Sequence, residues 1–485
     1  MGDNVAQKSK KQSSNYVILK RLIISILAVV FVRLIYFIPL PGVRIEVLAD
    51  FYQKHIIAQG GSFFDLMALL HFGKLRNLSI LSLGIIPFIQ ACLLVQIIGF
   101  LVPGVNKKFF SGKETSHLMV IFTIVAAILI SAFNAYFIAL DIELLNNFPN
   151  FNIISFEGFL FNSTTILSVI GGIIILIIAS EFINRFGLGN GVAVIFASEI
   201  LLRFVFAIDQ VSTFYGRNLI DLAQLMLFGF VCFIFVCFAR YVTLFNCKIE
   251  FCSADEEKFF VRIRPLWVGV WPLIITEQIM SFFKISLNAF SFLTVLLACA
   301  AISFLYAKII YQPRRFYEVL LARNCKAHKN QKKMIEDNLN QAMVYCICLS
   351  LTLFMVMYYL PIILPSGLKI SFLSSSMFGA FGIIVLVGLF YDINDQIKFF
   401  KKIYNFPEMN WQFLSIAQDE VHAEVEKACL RSHGIMTEIN PSHFNWGMPI
   451  RTVASGYSMY VPEKDKLRAL SIIKKIKSDW HEKSI

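Results

Sequence analysis

Apolar stretches of roughly 20 residues, the length a helix needs to cross a hydrocarbon layer, recur along most of this chain. They constrain the fold more than any other feature, because backbone in lipid must satisfy its own hydrogen bonds and helices do so within one segment. About ten such runs are present: 17–38, 76–102, 116–140, 162–182, 191–208, 219–245, 267–283, 289–311, 341–363 and 377–394. A further apolar piece, 62–72, is too short to cross. Of the 485 residues, 57% are hydrophobic and 16% charged, against about 25% charged in a soluble protein. The expected fold is an all-α polytopic membrane protein. The first run lacks a small-residue cleavage site and is followed by more spans, so it reads as a retained anchor.

The net charge of +12 is distributed as a membrane topology would have it. Lys8, Lys10, Lys11, Lys20 and Arg21 precede the first span, Lys107, Lys108 and Lys113 follow the second, and Lys248, Lys258, Arg262 and Arg264 follow the sixth. Asp141, Glu143 and Glu157 lie between the third and fourth spans, where Lys and Arg are missing. The positive-inside rule then makes residues 1–16 a cytoplasmic segment and puts both termini in the cytoplasm, with Arg44, Lys54, Lys284 and Lys369 as the exceptions. Cys92, Cys232, Cys237, Cys299, Cys346 and Cys348 fall inside spans without metal-ligand spacing, so reduced thiols are expected, with no metal and no cofactor.

Four motifs lie along these runs: Ile38-Pro39-Leu40-Pro41-Gly42, Ser82-Leu83-Gly84-Ile85-Ile86-Pro87-Phe88-Ile89-Gln90-Ala91, Gly187-Leu188-Gly189-Asn190-Gly191 and Val268-Gly269-Val270-Trp271-Pro272-Leu273-Ile274. In this order and spacing they resemble the SecY family, the pore subunit of the general protein-secretion channel, over residues 15–400. The resemblance implies a SecY-like bundle of ten transmembrane helices in two inverted five-helix halves, 17–210 and 219–400, around an hourglass pore. It also implies a protein-conducting channel in the plasma (inner) membrane of a bacterium. Such a channel moves unfolded preproteins across the lipid bilayer and membrane segments into it. The implied partners are small SecE-like and SecG-like membrane subunits, with a SecA-like motor ATPase or the ribosome supplying energy.

By the same resemblance, the short piece with Phe63, Phe64, Leu66, Met67, Leu69 and Leu70 is the plug that closes the pore; the residues alone also allow a helix lying at the interface. A channel for unfolded chains must pass any side chain yet hold back ions, and a ring of aliphatic side chains that dewets when empty does this. The ring residues implied are Ile89, Leu93, Val192, Phe196, Ile274 and either Ile384 or Val385. Ile89 with Leu93, and Val192 with Phe196, are spaced i,i+4 and share a helix face. Phe196 is bulkier than the aliphatic residue expected, and an apolar residue in a span, taken alone, is lipid-facing or packing. The resemblance also implies that spans two and seven form a lateral gate, marked by Gln90, Gln96, Pro272 and Gln278, although interhelical hydrogen bonding explains such glutamines equally. Asn190 is placed to cap the fifth span, and Pro87 and Pro272 to bend or begin theirs.

Cytoplasmic docking is implied for Arg262, Arg264, Arg314, Arg315, Arg323, Lys326 and Lys329. In the first of these loops, Asp255-Glu256-Glu257 interrupts the basic tip usual for the family. The second lacks the usual Pro-Gly turn, and its charge is equally what the positive-inside rule demands. Arg33, Glu181, Arg185, Glu199 and Arg203 are charges in or near spans. Position at a boundary with snorkelling accounts for most of them, and Glu199 and Arg203 stand i,i+4.

From Glu408 the patterning is that of a soluble domain, outside the resemblance. Strands are expected at 411–417, 435–439 and 456–461. Asp419 would cap a helix with Val421, Val425 and Cys429 on one face, ended by Gly434, and a last helix would present Leu467, Leu470 and Ile473. This order suggests a small ferredoxin-like α+β domain over 408–485. His422, His433 and His443 read as surface residues. Nothing in the chain carries a nucleotide loop or an acid/base cluster, so no enzyme is expected. Other functions remain open: a SecY-like paralogue with restricted substrates, a secondary transporter, or a scaffold presenting the C-terminal domain.

Overall fold

The computed structural model describes residues 14–44, 46–47, 78–102, 115–146, 152–216, 221–245, 247–252, 258–263, 272, 276, 289–310, 329–363, 380–405, 410–417, 423, 426–427, 429–431, 433–440 and 457–473. Several expected features lie outside these residues: the plug stretch from Phe63 to Leu70, Ile274, Gln278, Arg264, Arg314, Arg315, Arg323 and Lys326.

The described helices are α1 (Ser14–Ile35), α2 (Ile86–Leu101), α3 (Thr115–Asn146), α4 (Phe159–Phe186), α5 (Gly191–Gly216), α6 (Leu222–Leu244), α7 (Ala289–Ile310), α8 (Lys329–Ile363) and α9 (Ala380–Asn405). Within them, Val120–Leu144, Phe159–Phe186 and Glu336–Met355 are long and apolar enough to cross a membrane. Shorter apolar stretches occupy Ile86–Val95, Gly191–Leu202, Phe233–Leu244 and Leu293–Lys308. The outer stripe of α4, Leu160, Leu167 and Ile178, is both exposed and apolar. A helix of this kind is solvated by lipid.

Hydroxyls buried in the spans turn back on their own helix. Ser131 donates to the Ala127 carbonyl at 2.7 Å, Thr243 to Ala239 at 2.6 Å, Ser303 to Cys299 at 2.7 Å and Ser350 to Cys346 at 2.9 Å. Such i−4 bonds satisfy polar groups that water does not reach. Cys346 is buried and Cys348 exposed, on different faces of α8, and neither is in a disulfide.

Helix α2 starts ten residues later than the apolar run that contains it. Gly84 holds a left-handed φ of 57°, and Pro87 sits in the first turn, where its missing N–H costs nothing. Residues 80–85 are therefore a turn. Conversely, α8 extends a dozen residues upstream of its apolar run into a polar first section.

Helix α2 packs on α3, α3 on α4 and α4 on α5, while α1 touches α4, α5 and α9. In the second half α7 packs on α8, and α6 on α9. Counting by expected spans, the third–fourth contact recurs as eighth–ninth, and first–fifth as sixth–tenth. These two contacts thus recur along the chain. Strands β1 (Cys247–Cys252) and β2 (Lys258–Ile263) form an antiparallel hairpin between α6 and the seventh span.

At the C-terminal end, β3 (Trp411–Ala417), β4 (Glu438–Asn440) and β5 (Tyr457–Pro462) form an antiparallel sheet in the order β3-β5-β4. This is the strand order of a split β-α-β unit, as an α+β domain of the expected type requires. The helix before β4 ends in a Schellman motif: Ile435 N–H donates to Leu430 at 2.9 Å and Gly434 N–H to Arg431 at 2.8 Å, with Gly434 at φ 73°. Its buried face is Ala423, Glu426 and Leu430, not the expected face ending in Cys429, which is half-buried; Val421 and Val425 lie outside the described residues. The last helix, 466–473, buries Ala469 and Ile473 and leaves Leu467 83% exposed. Of the expected apolar face, Ile473 is in the core and Leu470 packs against it, so the correction falls on Leu467. The middle strand is also shorter and later than expected, since residues 435–437 continue from the Schellman turn.

Candidate functional site

Helix α5 is where the candidate pore residues, the glycine turn and a buried charge meet. Asn190 caps it: the side-chain oxygen accepts from Val192 N–H at 3.0 Å and Ala193 N–H at 3.2 Å, as the sequence suggested. Gly191, its first residue, lies so close to α4 that a Cβ there would fall on the Ser180 carbonyl. The turn before it is held from three helices. Ser25 of α1 both accepts from Leu188 N–H at 2.7 Å and donates to the Leu188 carbonyl at 2.9 Å. Arg21 donates to the Gly187 carbonyl at 3.1 Å. Gln396 of α9, itself buried, accepts from Gly189 N–H at 2.9 Å, and Asn184 of α4 accepts from Gly191 N–H at 2.7 Å. Gln396 had no signal in the sequence beyond being an amide at the end of an apolar run.

The first three turns of α5 are enclosed. Val192 and Phe196 are buried, and so are Ala193, Ile195, Ala197 and Ile200. Ile89 and Leu93 of α2 are buried, while Leu94 beside them is exposed. Ile384 and Val385 of α9 are both buried. The buried residues among these belong to one continuous apolar cluster. The fold therefore brings the described ring candidates from α2, α5 and α9 into the bundle interior. Of the gate candidates, Gln90 is half-buried. Pro272 is helical and buried, and its carbonyl accepts from Thr276 at 2.7 Å; the Gln96 side chain lies outside the described residues.

At the C-terminal end of α1 the Pro-Gly segment is stitched into place. Leu40 N–H donates to Leu78 at 3.0 Å, Ile80 to Ile38 at 3.2 Å, Arg44 to Ile153 at 2.8 Å and Ser155 to Gly42 at 2.8 Å. Gly42 has φ 85°, and a Cβ there would meet the Phe156 ring.

The structure adds a polar node that the boundary reading of the charges missed. Glu199, in the interior of α5, is 4% exposed. Its Oε1 accepts from the Tyr36 hydroxyl at 3.1 Å, and its Oε2 is buried with no donor among the described residues. Arg33 donates to Ser198, one residue earlier, at 2.6 Å and lies over the Tyr36 ring at 4.8 Å. Glu181 and Arg185, by contrast, form an exposed i,i+4 pair at 2.8 Å.

On the cytoplasm-assigned loops, the β1–β2 register places Arg262 opposite Lys248. Lys329 opens α8. The side chains of both docking candidates lie outside the described residues.

Comparison with known proteins gives a consistent picture. The SecY family model matches residues 79–394. SecY of Thermus thermophilus is 28% identical over 190 residues, covering 38% of this chain and 42% of that protein. SecY of Escherichia coli is 27% identical over 183 residues, covering 38% and 40%. These alignments span about two fifths of the relatives' lengths. A solved protein-conducting channel superposes with a TM-score of 0.54 at 14% identity, covering 80% of this chain and 93% of that one. Sec61 in the canine ribosome–channel complex gives 0.52 with the same coverage. At such identity these structures establish the shared fold.

Proposed function

The chain belongs to the SecY family, and from that premise we propose that it is the pore subunit of a Sec-type translocase. It would pass unfolded polypeptides across a membrane and release apolar segments sideways into lipid. The observation that carries this reading is the convergence of Ile89, Leu93, Val192, Phe196 and Val385, from three separate helices, in one buried apolar cluster. Side chains of this kind offer a passing chain no binding site and exclude water when it is absent. Ile274 would complete the ring. Phe63, Phe64, Leu66, Met67, Leu69 and Leu70 would form the plug, and Gln90, Gln96, Pro272 and Gln278 would mark the lateral gate.

The same reading places the protein in the inner membrane of a bacterium with both termini cytoplasmic, beside small SecE-like and SecG-like subunits. Energy would come from a SecA-like motor or from the ribosome, docked through Arg262, Arg264, Arg314, Arg315, Arg323, Lys326 and Lys329. Asp255-Glu256-Glu257, which follow β1 and precede β2 in the sequence, favour a variant with altered cytoplasmic partners. A proton-coupled carrier is disfavoured, because Glu199 is the single buried acid among the described residues of the spans and a relay needs several.

The test is site-specific crosslinking of a stalled secretory chain to cysteine at Ile89 or Ile274, with Cys92 replaced by alanine. Strong crosslinks there and none at exposed Leu94 or Leu167 are expected. Equal labelling at all positions, or none, would remove translocation from the function.

A further inference from the structure

The C-terminal domain uses one face of its sheet for its own core and the other for the membrane bundle. Leu414, Met459 and Val461 pack with Leu430, Ile435 and Ile473. Tyr460, between Met459 and Val461, turns the opposite way and meets Phe399 of α9 at a ring separation of 5.4 Å. Beside it, Lys402 of α9 donates to Glu438 Oε1 at 2.7 Å, and Glu438 faces Tyr460 directly across the β4–β5 ladder. Among the described residues the docking surface thus includes an aromatic contact and an ion pair, both on the last turns of α9.

Those turns lead inward to the glycine turn. Phe399 and Phe400 share a buried cluster with Leu188, against which Ile18 and Tyr460 also pack. Arg21 lies over the Phe400 ring at 4.8 Å while donating to the Gly187 carbonyl. Leu188 sits in the turn from which α5 starts, and α5 carries Val192 and Phe196 within its next two turns. Contact therefore runs unbroken from Tyr460, through Phe399 and Phe400, to Leu188 and the base of α5.

We propose that the C-terminal domain is an intramolecular clasp. Seated on α9, it restrains the Gly187–Gly191 turn and holds α5 in the closed arrangement; released, it lets the pore open more readily. This rests on the channel reading above. The ion pair suits such a role, since Lys402 is half-exposed and pairs of that kind are weak enough for a competing partner to displace.

The test uses the full-length protein in proteoliposomes with three readouts: hydrogen exchange of β3–β5, ion flux, and crosslinking of a stalled chain at Ile89. Tyr460→Ala, and separately Glu438→Lys, are expected to speed exchange at the docked face and raise flux about fivefold, the low end of typical coupling between sites. Lys402→Glu combined with Glu438→Lys should restore the parental flux, which general damage to the fold would not do. Joining cysteines at 402 and 438 with a cleavable bifunctional reagent should suppress flux until the reagent is cleaved. A released domain with unchanged flux and intact Ile89 crosslinks overturns the clasp alone. Loss of the Ile89 crosslinks in the parent overturns the channel reading, and the clasp with it.

Discussion

The Tyr36 hydroxyl of the segment leaving α1 donates to Glu199 Oε1 of α5 at 3.1 Å, across 163 residues of sequence. Glu199 also lies against the turn that precedes α2: a Cβ on Gly84 would sit 2.5 Å from the same oxygen. One carboxyl group thus joins three segments next to the candidate ring, since Gly84 is five residues before Ile89 and Glu199 three after Phe196. Within the membrane interior a buried polar group is costly unless it is bonded, so this contact fixes how α1 and α5 sit together.

Tyr36→Phe removes the donor and keeps the ring. The expected loss is about 1 kcal/mol, in the range of interhelical hydrogen bonds in membrane proteins. Glu199→Ala should lose more alone, because it also empties a packed site. In the double variant the two losses should fall short of their sum by about the same 1 kcal/mol. Denaturation midpoints of the four proteins in one detergent provide the comparison, and strict additivity would mean that the contact contributes nothing.

Gly84→Ala attacks the same node from the other side. The new methyl meets the Glu199 carboxylate in a left-handed backbone conformation, which alone costs about 1–2 kcal/mol. In a Glu199→Ala background the same glycine substitution should cost less, because the collision is gone and only the backbone strain remains. No cost at all in that background would show that φ at Gly84 is free to relax.

At the start of α5, close approach should outweigh capping. Gly191→Ala drives a methyl onto the Ser180 carbonyl and should cost about 3 kcal/mol, as overpacking of a tight contact does. Asn190→Ala leaves Val192 and Ala193 N–H without their side-chain acceptor and should cost about 1 kcal/mol. The measurement is folded yield and thermal midpoint of each; a reversed order would mean that α4 and α5 separate easily at this end.

The sequence exposed those features whose physics is local. Apolar run length located the described helices to within a few residues at most ends, and the Asn between glycines declared a cap because capping needs only the next two amides. Where the determinant was a distant partner, the sequence was silent. Glu199 looked like half of an i,i+4 pair with Arg203, and nothing nearby in the chain pointed to Tyr36. Hydropathy continued through Leu81 to Ile85 because it registers side chains and not the backbone reversal at Gly84. In the C-terminal helix, Leu467 suggested itself for the apolar face, yet the core takes Ala469 beside the expected Ile473, since a small side chain that fits a tight contact carries little hydropathy signal. The plane on which Tyr460 meets Phe399 was hidden for the same reason as Glu199: each residue is ordinary until the fold brings the other to it.

Polar substitution at the ring gives a readout that simple packing would not. Leu93→Asn places a buried amide where Ile89, Val192 and Phe196 share one apolar cluster. If these residues enclose a dewetted constriction, the amide hydrates it, and ion flux through reconstituted protein should rise about tenfold at a modest loss of stability. Ala127→Asn, in the same cluster but on α3, is the control: it should destabilise through an unpaired amide of about 1–3 kcal/mol without raising flux. Comparable flux in both variants would mean that leakage reports a loosened bundle. Elevated flux for Leu93→Asn alone would locate the conducting path beside α2 and α5, at the residues that the substrate crosslinks at Ile89 are expected to reach.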